Sequence, residues 1–398
     1  MLTPTAIDEK GNDDVRRSGA TAALAAALTT PLLLTGCSSD SGGTESSARP
    51  SAPRPSATSP STGGSAAPAK GDAKVVDTVT RGLTAPWGLA QLSGGDLLVT
   101  ERDSGRIVRV DEKSGEHTEL GRVPGVAAAG EGGLLGLALP PGADERLYVY
   151  FTTQSDNRIA RLTYDPDKEE GDQLGAPDTV LRGIPKGTTH NGGRIAFGPD
   201  KMLYAGTGEG GEGEEAQDEK SLGGKILRMT PEGEPPGQGN PHPGSVVYSW
   251  GHRNVQGFDW DAEKRLWASE FGQDTWDELN LIEPGKNYGW PKVEGKAHER
   301  GYVDPLEQWK PSEASPSGLA LVEGSAWMAG LRGERLWRIP LDGAKPAGEP
   351  QSFLKGKYGR LRTVLPAGGD ALFLVTSETD TRGTPSKGDD RILKVQVR

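Results

Sequence analysis

The sequence predicts an all-β chain folded as a six-bladed β-propeller, and three observations carry that expectation. Glycine (58) and proline (30) are abundant, and tryptophan (9) outnumbers both tyrosine (8) and phenylalanine (6), a mix suited to short strands and tight turns. Long Ala/Leu/Glu/Lys runs of the helical kind are nearly absent from the body of the chain. A cadence of apolar strand, turn, strand, turn and strand recurs along it, as in folds built from radially packed repeats.

The segments preceding the repeats have characters of their own. The opening MLTPTAIDEKGNDD is acidic and unlike a secretion n-region, so translation is expected to begin near Val15. Arg16 and Arg17 then precede the apolar run GATAALAAALTTPLLLTGC, the order of an export signal. Leu34-Thr35-Gly36-Cys37 resembles a bacterial lipobox, in which the cysteine is lipidated and becomes the mature N-terminus. An ordinary signal peptide with a chance cysteine is the plainer alternative. Residues 1–37 are thus read as signal peptide, and the protein as lipid-anchored on the extracellular side of the cell membrane. Residues 38–72, dominated by Ser, Pro, Gly and Ala, cannot bury a core and read as a flexible tether.

The propeller domain is assigned to residues 73–398. The first repeat is PWGLAQLSGGDLLVTERDSGRIVRVD (86–111) and the second LLGLALPPGADERLYVYFTTQSDNRIARLTYD (134–165). The third joins GGRIAFGPDKMLYAGTGEGG to GGKILRMTPEG (192–233), and the fourth VQGFDWDAEKRLWASEFG to DELNLIEPG (255–285). SGLALVEGSAWMAGLRGERLWRIPLDG (317–343) is the fifth; GRLRTVLPAGGDALFLVTSETD with DDRILKVQVR (359–398) is the sixth. At roughly 54 residues per copy the period is that of four-stranded blades. Five or seven blades are the neighbouring possibilities if one repeat is miscounted.

Composition removes several function classes. The net charge is −11 with no Lys/Arg run of five or more, which argues against a nucleic-acid partner. Cys37 is the only cysteine, so neither an intrachain disulfide nor a cysteine metal site is possible. Gly206-Thr207-Gly208-Glu209-Gly210-Gly211 matches G-x-G-x-x-G, but the acidic EGEEAQDEKSLGG follows it. A pyrophosphate would be repelled there, so no nucleotide site is expected.

The candidate chemistry gathers in a few places. His190, one of five histidines, sits before Asn191-Gly192-Gly193 and is either a general base or a hydrogen-bonded loop histidine. Arg253 and Asn254 follow Gly251-His252; the arginine would clamp a carboxylate, polarise a carbonyl or form an inter-blade ion pair. Arg360 and Arg362 flank Leu361 and so share one face of a strand. If that face lines the channel, the pair suits a polycarboxylate. Glu270, Asp274, Asp277 and Glu278 form a dense acidic segment that either ligates Ca²⁺ or is a solvated turn.

These residues resemble one family, the soluble aldose dehydrogenases dependent on pyrroloquinoline quinone (PQQ), also called glucose/sorbosone dehydrogenases. The resemblance spans residues 78–398 and rests on PWGLA, LLVTERDSGRI, GEGGLLGLAL, HNGGRIAFGPD, SLGGKILRMTPEG, YSWGHRNVQG, ASEFG, DELNLI, NYGWP, SPSGLA and YGRLRTV, in order. It implies a six-bladed propeller holding PQQ and Ca²⁺ at the channel mouth, and an aldose oxidised at C1 to the lactone. His190 matches the general base and Arg253 the residue that polarises the quinone carbonyl. Asn254, Arg332, Arg360 and Arg362 match cofactor contacts, with Arg332 standing where the family often has lysine. Gly272 and Gln273 match the pair whose carbonyls bind the cofactor's calcium; Glu278 and the carbonyl of Tyr288 match a second, structural calcium site. Three positions depart from the family: at two further positions matched to cofactor binding Glu131 replaces a common glutamine and Glu209 an aspartate, and Gln273 replaces a proline. The sugar partner, the electron acceptor and the oligomeric state are not specified by the sequence. A Ca²⁺-dependent propeller hydrolase, of the lactonase or esterase type, would need a side-chain carboxylate metal site and no arginine clamp. A non-catalytic binding module is the other alternative, and Glu131 and Glu209 are what favour it.

Overall fold

Glycine recurs at one place in the repeats, the middle of the leading strand: WGLA, LGLA, QGFD and SGLA. The computed structural model, which describes residues 66–398, shows why. A Cβ added to Gly136 would lie 2.1 Å from the Gly193 carbonyl oxygen, and one on Gly257 would lie 2.0 Å from that of Ser317. Each leading strand is therefore the innermost of its sheet and presses its backbone against that of the next. Six sheets packed in this way surround a channel.

The first blade comprises strands Pro86–Gln91, Leu97–Glu101, Arg106–Val110 and His117–Arg122, paired antiparallel in that order. The second runs Leu134–Ala138, Arg146–Thr152, Asn157–Thr163 and Asp178–Ile184. The third is Ile195–Phe197, Leu203–Gly206, Lys225–Met229 and Val247–Trp250. Val255–Trp260, Leu266–Glu270, Asp277–Ile282 and Glu307–Trp309 form the fourth. In the fifth, Pro316–Val322, Ser325–Gly330 and Arg335–Asp342 are flanked by the short strands Lys345–Pro346 and Gln351–Phe353. The sixth takes Leu361–Pro366, Ala371–Thr376 and Arg391–Val397 from the end of the chain and its outer strand, Ala73–Arg81, from before the first blade. That pairing, Ala73 opposite Val397 through Arg81 opposite Arg391, closes the ring.

Each blade buries its apolar faces against its neighbours. Tyr148, Tyr150 and Ile159 of the second blade meet Leu203, Leu227 and Met229 of the third. Phe373, Val375 and Ile392 of the sixth meet Leu97, Val99 and Val108 of the first. Second strands are accordingly buried along all or nearly all of their length, wholly so in Leu97–Glu101 and Ser325–Gly330.

The sequence expectations for the signal peptide, for Cys37 and for residues 38–65 lie outside the described residues. The last part of the expected tether does not: Ala67 is buried and donates its N–H to the Leu341 carbonyl, while buried Arg338 donates to the Pro68 carbonyl. Residues 67–72 therefore pack on the fifth and sixth blades, so the folded body begins before residue 73. The glycine-rich stretch 206–211 leads from a strand into a single 3₁₀ turn, Gly213–Ala216, without the helix a pyrophosphate needs. No helix among the described residues is long and apolar enough to cross a membrane.

Candidate active site at the channel mouth

In an antiparallel blade, the loop entering the innermost strand and the turn between the second and third strands fall at the same end. Those two kinds of segment supply the lining of a cavity of about 450 Å³ at one end of the channel. Glu131, Thr189, His190, Arg253, Asn254 and Ser315 come from entry loops; Arg102, Gly272, Gln273, Arg332, Asp380 and Arg382 come from turns. Arg360 and Arg362 lie at the start of the sixth blade's innermost strand. A second cavity, about 260 Å³, is lined mainly by apolar residues such as Leu89, Leu137, Phe197 and Leu319 further along the innermost strands. The titratable groups of interest are in the larger one.

His190 has φ of 55°, a left-handed conformation costly for a residue with a Cβ. Its N–H donates to Glu131 Oε2 (3.0 Å), and its carbonyl accepts from Gly210 N–H (3.0 Å). The Asn254 amide oxygen accepts from Gly192 N–H, which fixes the glycines that follow. The ring Nδ1 meets both oxygens of buried Glu209, at 2.8 and 2.9 Å. Glu209 also accepts from Gly211 N–H. With Nδ1–H donated to a carboxylate, Nε2 is the basic atom.

Arg253 is buried, with its guanidinium 5.3 Å from the centre of the Trp290 ring. Burial pushes its pKa down, against the pull of Glu209 and other carboxylates. Its Nε and the adjacent Trp290 Nε1 have no hydrogen-bond partner among the described residues. Its backbone is set by Glu270, which accepts Arg253 N–H (3.1 Å) and holds fully buried His252 at 2.5 Å.

Arg360 and Arg362 do share a face, and it is the cavity face. Both donate to Asp380 Oδ2, each at 3.0 Å. Burial pushes Asp380 up, but Arg362 and Arg360 together outweigh it and hold the carboxyl at about 2. Burial lowers Arg362 to about 10 despite Asp380. Arg332 is exposed at the rim and makes no ion pair among the described residues.

The acidic segment separates into two places. Gly272 and Gln273 line the cavity, their N–H groups bound by Asp277 and Glu294. Neither carbonyl accepts a hydrogen bond among the described residues. Burial raises Asp277, another lining residue, to about 7. Asp274 sits beside this cavity, in the neighbouring rim pocket with Trp276 and Arg332. Glu278 lies away from the cavity, opposite Glu270 in the strand register. Burial, then repulsion by Glu270, raise Glu278 to about 8. The buried Oδ1 of Asn280, whose amide donates to Glu278, has no partner among the described residues. Tyr288 stacks on His252 beside that pair, its centroid 4.6 Å away. No cluster of three or more His, Cys, Asp or Glu side chains that could hold a metal is formed among the described residues, so metal binding here would need backbone or amide oxygens alongside any carboxylate.

Sequence reasoning passed over Arg102, Asp380, Arg382 and Trp87. Arg102 donates to the Asp380 carbonyl, Arg382 pairs with Glu131, and Trp87 lies under Arg362. Arg102 falls within TERDSGR, a motif quoted for the resemblance; ETDTRG, which carries Asp380 and Arg382, gave no signal of its own.

Fold and site together define a β-propeller enzyme with a histidine paired to a buried glutamate beside an arginine-rich cavity at the channel mouth. The chain belongs to the Glucose / Sorbosone dehydrogenase family, whose model matches residues 83–384, and is an oxidoreductase of the sugar dehydrogenase class. The PQQ-bound aldose sugar dehydrogenase from Streptomyces coelicolor superimposes with a TM-score of 0.83 at 67% identity, covering 84% of this chain and all of that one. Quinoprotein glucose dehydrogenase B of Acinetobacter calcoaceticus is 31% identical over 273 residues, 60% of this chain and 56% of that protein. An aldose sugar dehydrogenase of Escherichia coli is 28% identical over 347 residues, 79% of this chain and 92% of its own length.

Proposed function

We propose that the protein oxidises aldose sugars at C1 to the lactone, with PQQ and Ca²⁺ as cofactors and His190 as general base. The observation that carries this reading is His190, held by Glu209, in one cavity with Arg253, a buried arginine whose Nε has no partner among the described residues.

The residues present suit a flat, polyanionic quinone. Six arginines (Arg102, Arg253, Arg332, Arg360, Arg362 and Arg382) line the cavity against three carboxylates, Glu131, Asp277 and Asp380. That excess of positive charge favours a ligand bearing several carboxylates. Arg332, Arg360 and Arg362 would hold those carboxylates, and Arg253 Nε, which has no acceptor among the described residues, could donate to the ligand. The free carbonyls of Gly272 and Gln273 are hard oxygen donors of the kind Ca²⁺ takes. Glu278, Asn280 and Tyr288 suit a second, structural ion, which would relieve the Glu270–Glu278 repulsion.

Bound there, PQQ would supply an electrophilic carbonyl as hydride acceptor for the sugar's C1, and Ca²⁺ would supply Lewis-acid polarisation. His190 Nε2 accepts the proton of the anomeric hydroxyl, and Glu209 stabilises the imidazolium that results. Arg253, desolvated and next to Trp290, is placed to stabilise negative charge developing within the cavity.

The sequence features around Cys37 support a lipid anchor facing the extracellular side, a proposal checked by lipid labelling of wild type and Cys37→Ala. The function itself is checked by dye-linked oxidation of an aldose panel with and without PQQ and Ca²⁺. Turnover only with both is expected. Failure to bind PQQ would overturn the reading.

A further inference from the structure

Glu131 and Arg382 stand outside the chemistry just described, yet both line its cavity. Arg382 Nη2 forms an ion pair with Glu131 Oε1 at 2.8 Å, joining the turn of the sixth blade to the entry loop of the second across the first. The other oxygen of Glu131 accepts the His190 N–H, and the Glu131 N–H donates to the Thr188 carbonyl at 2.9 Å. The two loops are in close contact: a Cβ on Gly130 would lie 2.2 Å from the Thr188 carbonyl oxygen. On its other side, Arg382 donates its backbone N–H to Asp380, the carboxylate that also gathers Arg360 and Arg362. A continuous set of contacts thus runs from the arginine side of the cavity to the backbone of the base.

We infer that Arg382 is a positioning residue that acts through Glu131 to hold His190 in its left-handed conformation. His190 has a Cβ and a φ of 55°, so the loop keeps that geometry only if its backbone groups are fastened. Glu131 provides the fastening, and Arg382 orients Glu131 and balances its charge at the mouth. The Arg382 side chain is 58% exposed against 22% for Glu131, so the pair contributes little to global stability and its effect is local. This also accounts for a carboxylate at position 131: with Arg382 opposite, it adds no net charge to the mouth.

The inference rests on the proposed function for its kinetic consequence, but its structural half is read without cofactor or sugar. Amide hydrogen exchange at His190, resolved by fragmentation mass spectrometry, is compared in wild type, Glu131→Ala, Glu131→Gln, Arg382→Ala, Arg382→Lys and Glu131→Ala/Arg382→Ala. Glu131→Ala is expected to speed exchange about tenfold, the loss of one hydrogen bond; Glu131→Gln, which keeps an acceptor, exchanges more slowly than Glu131→Ala. Arg382→Ala speeds exchange by a smaller factor, Arg382→Lys partly restores protection, and the double variant matches Glu131→Ala. In the loaded enzyme, kcat falls in the same order while KM moves less. Unchanged exchange in Glu131→Ala would overturn the inference, as would effects of Glu131→Ala and Arg382→Ala that simply add. The expected exchange pattern in a protein that oxidises no aldose would refute the proposed function and leave the positioning role standing.

Discussion

His190 and Asp380 anchor the two sides of the cavity, and each makes a separable prediction. His190→Ala removes the proton acceptor but none of the arginines, so kcat should fall about 10²–10⁴-fold while PQQ affinity, measured by titration, stays close to wild type. A fall in affinity matching the fall in kcat would mean that His190 is a cofactor ligand instead. Asp380 is a stability element. Its pKa is depressed in the folded state, to about 2, below the value of about 3.9 for an unfolded chain. Its contribution is therefore full above about pH 4 and is lost as pH falls through 2. Asp380→Asn should cost about 3 kcal/mol at neutral pH, because buried Arg362 and partly buried Arg360 lose their counter-charge. Urea midpoints of variant and wild type should then converge as pH is lowered towards 2. His190 was legible in the sequence as an isolated histidine before Asn-Gly-Gly, and Arg360 and Arg362 from their alternation across Leu361. Asp380 and Arg382 were not, because their significance lies in partners on distant blades.

The strands differ in how plainly the sequence announces them. Inner and second strands are buried on both faces, and their apolar runs marked all six repeats. Outer strands are harder to see: Asp178–Ile184 is mostly exposed, and Val247–Trp250, which completes the third blade, read as the start of the motif that carries Arg253. The outer strand of the sixth blade, Ala73–Arg81, lies before the first repeat altogether, so no local pattern reveals its place. The glycine of the inner strands is legible as a repeat, and its cause is steric. Gly257→Ala should lower the urea midpoint by the equivalent of about 1–3 kcal/mol, because the new Cβ would meet the Ser317 carbonyl oxygen, a backbone atom with nowhere to move. Gly142→Ala has nothing within 4 Å to clash with, although its φ of 75° carries strain of its own. A smaller shift there than at Gly257 isolates the packing contribution; equal shifts would refute it.

At the scale of the molecule, the ring is only as secure as its seam. The cavity draws residues from every blade, so its geometry depends on the closure of Ala73–Arg81 against Arg391–Val397. Lys74 and Gln396 are register partners in that pairing, and both are exposed. Directly opposed residues in an antiparallel ladder have Cα atoms about 4.5–5.5 Å apart, within the span of a disulfide. Cys37 is the only native cysteine, so Lys74→Cys/Gln396→Cys in a Cys37→Ser background can form a single intrachain bond. Cross-linking the two ends of so long a segment restricts the unfolded chain, and about 2–4 kcal/mol of added stability is expected in the oxidised form. The seam strand is the outermost of its blade, far from the innermost strand that carries Arg360 and Arg362, so kcat should be the same oxidised or reduced. A higher urea midpoint with unchanged kcat would establish that closure limits stability without tuning the site. An unchanged midpoint in fully oxidised protein would show that unfolding begins at a different blade interface.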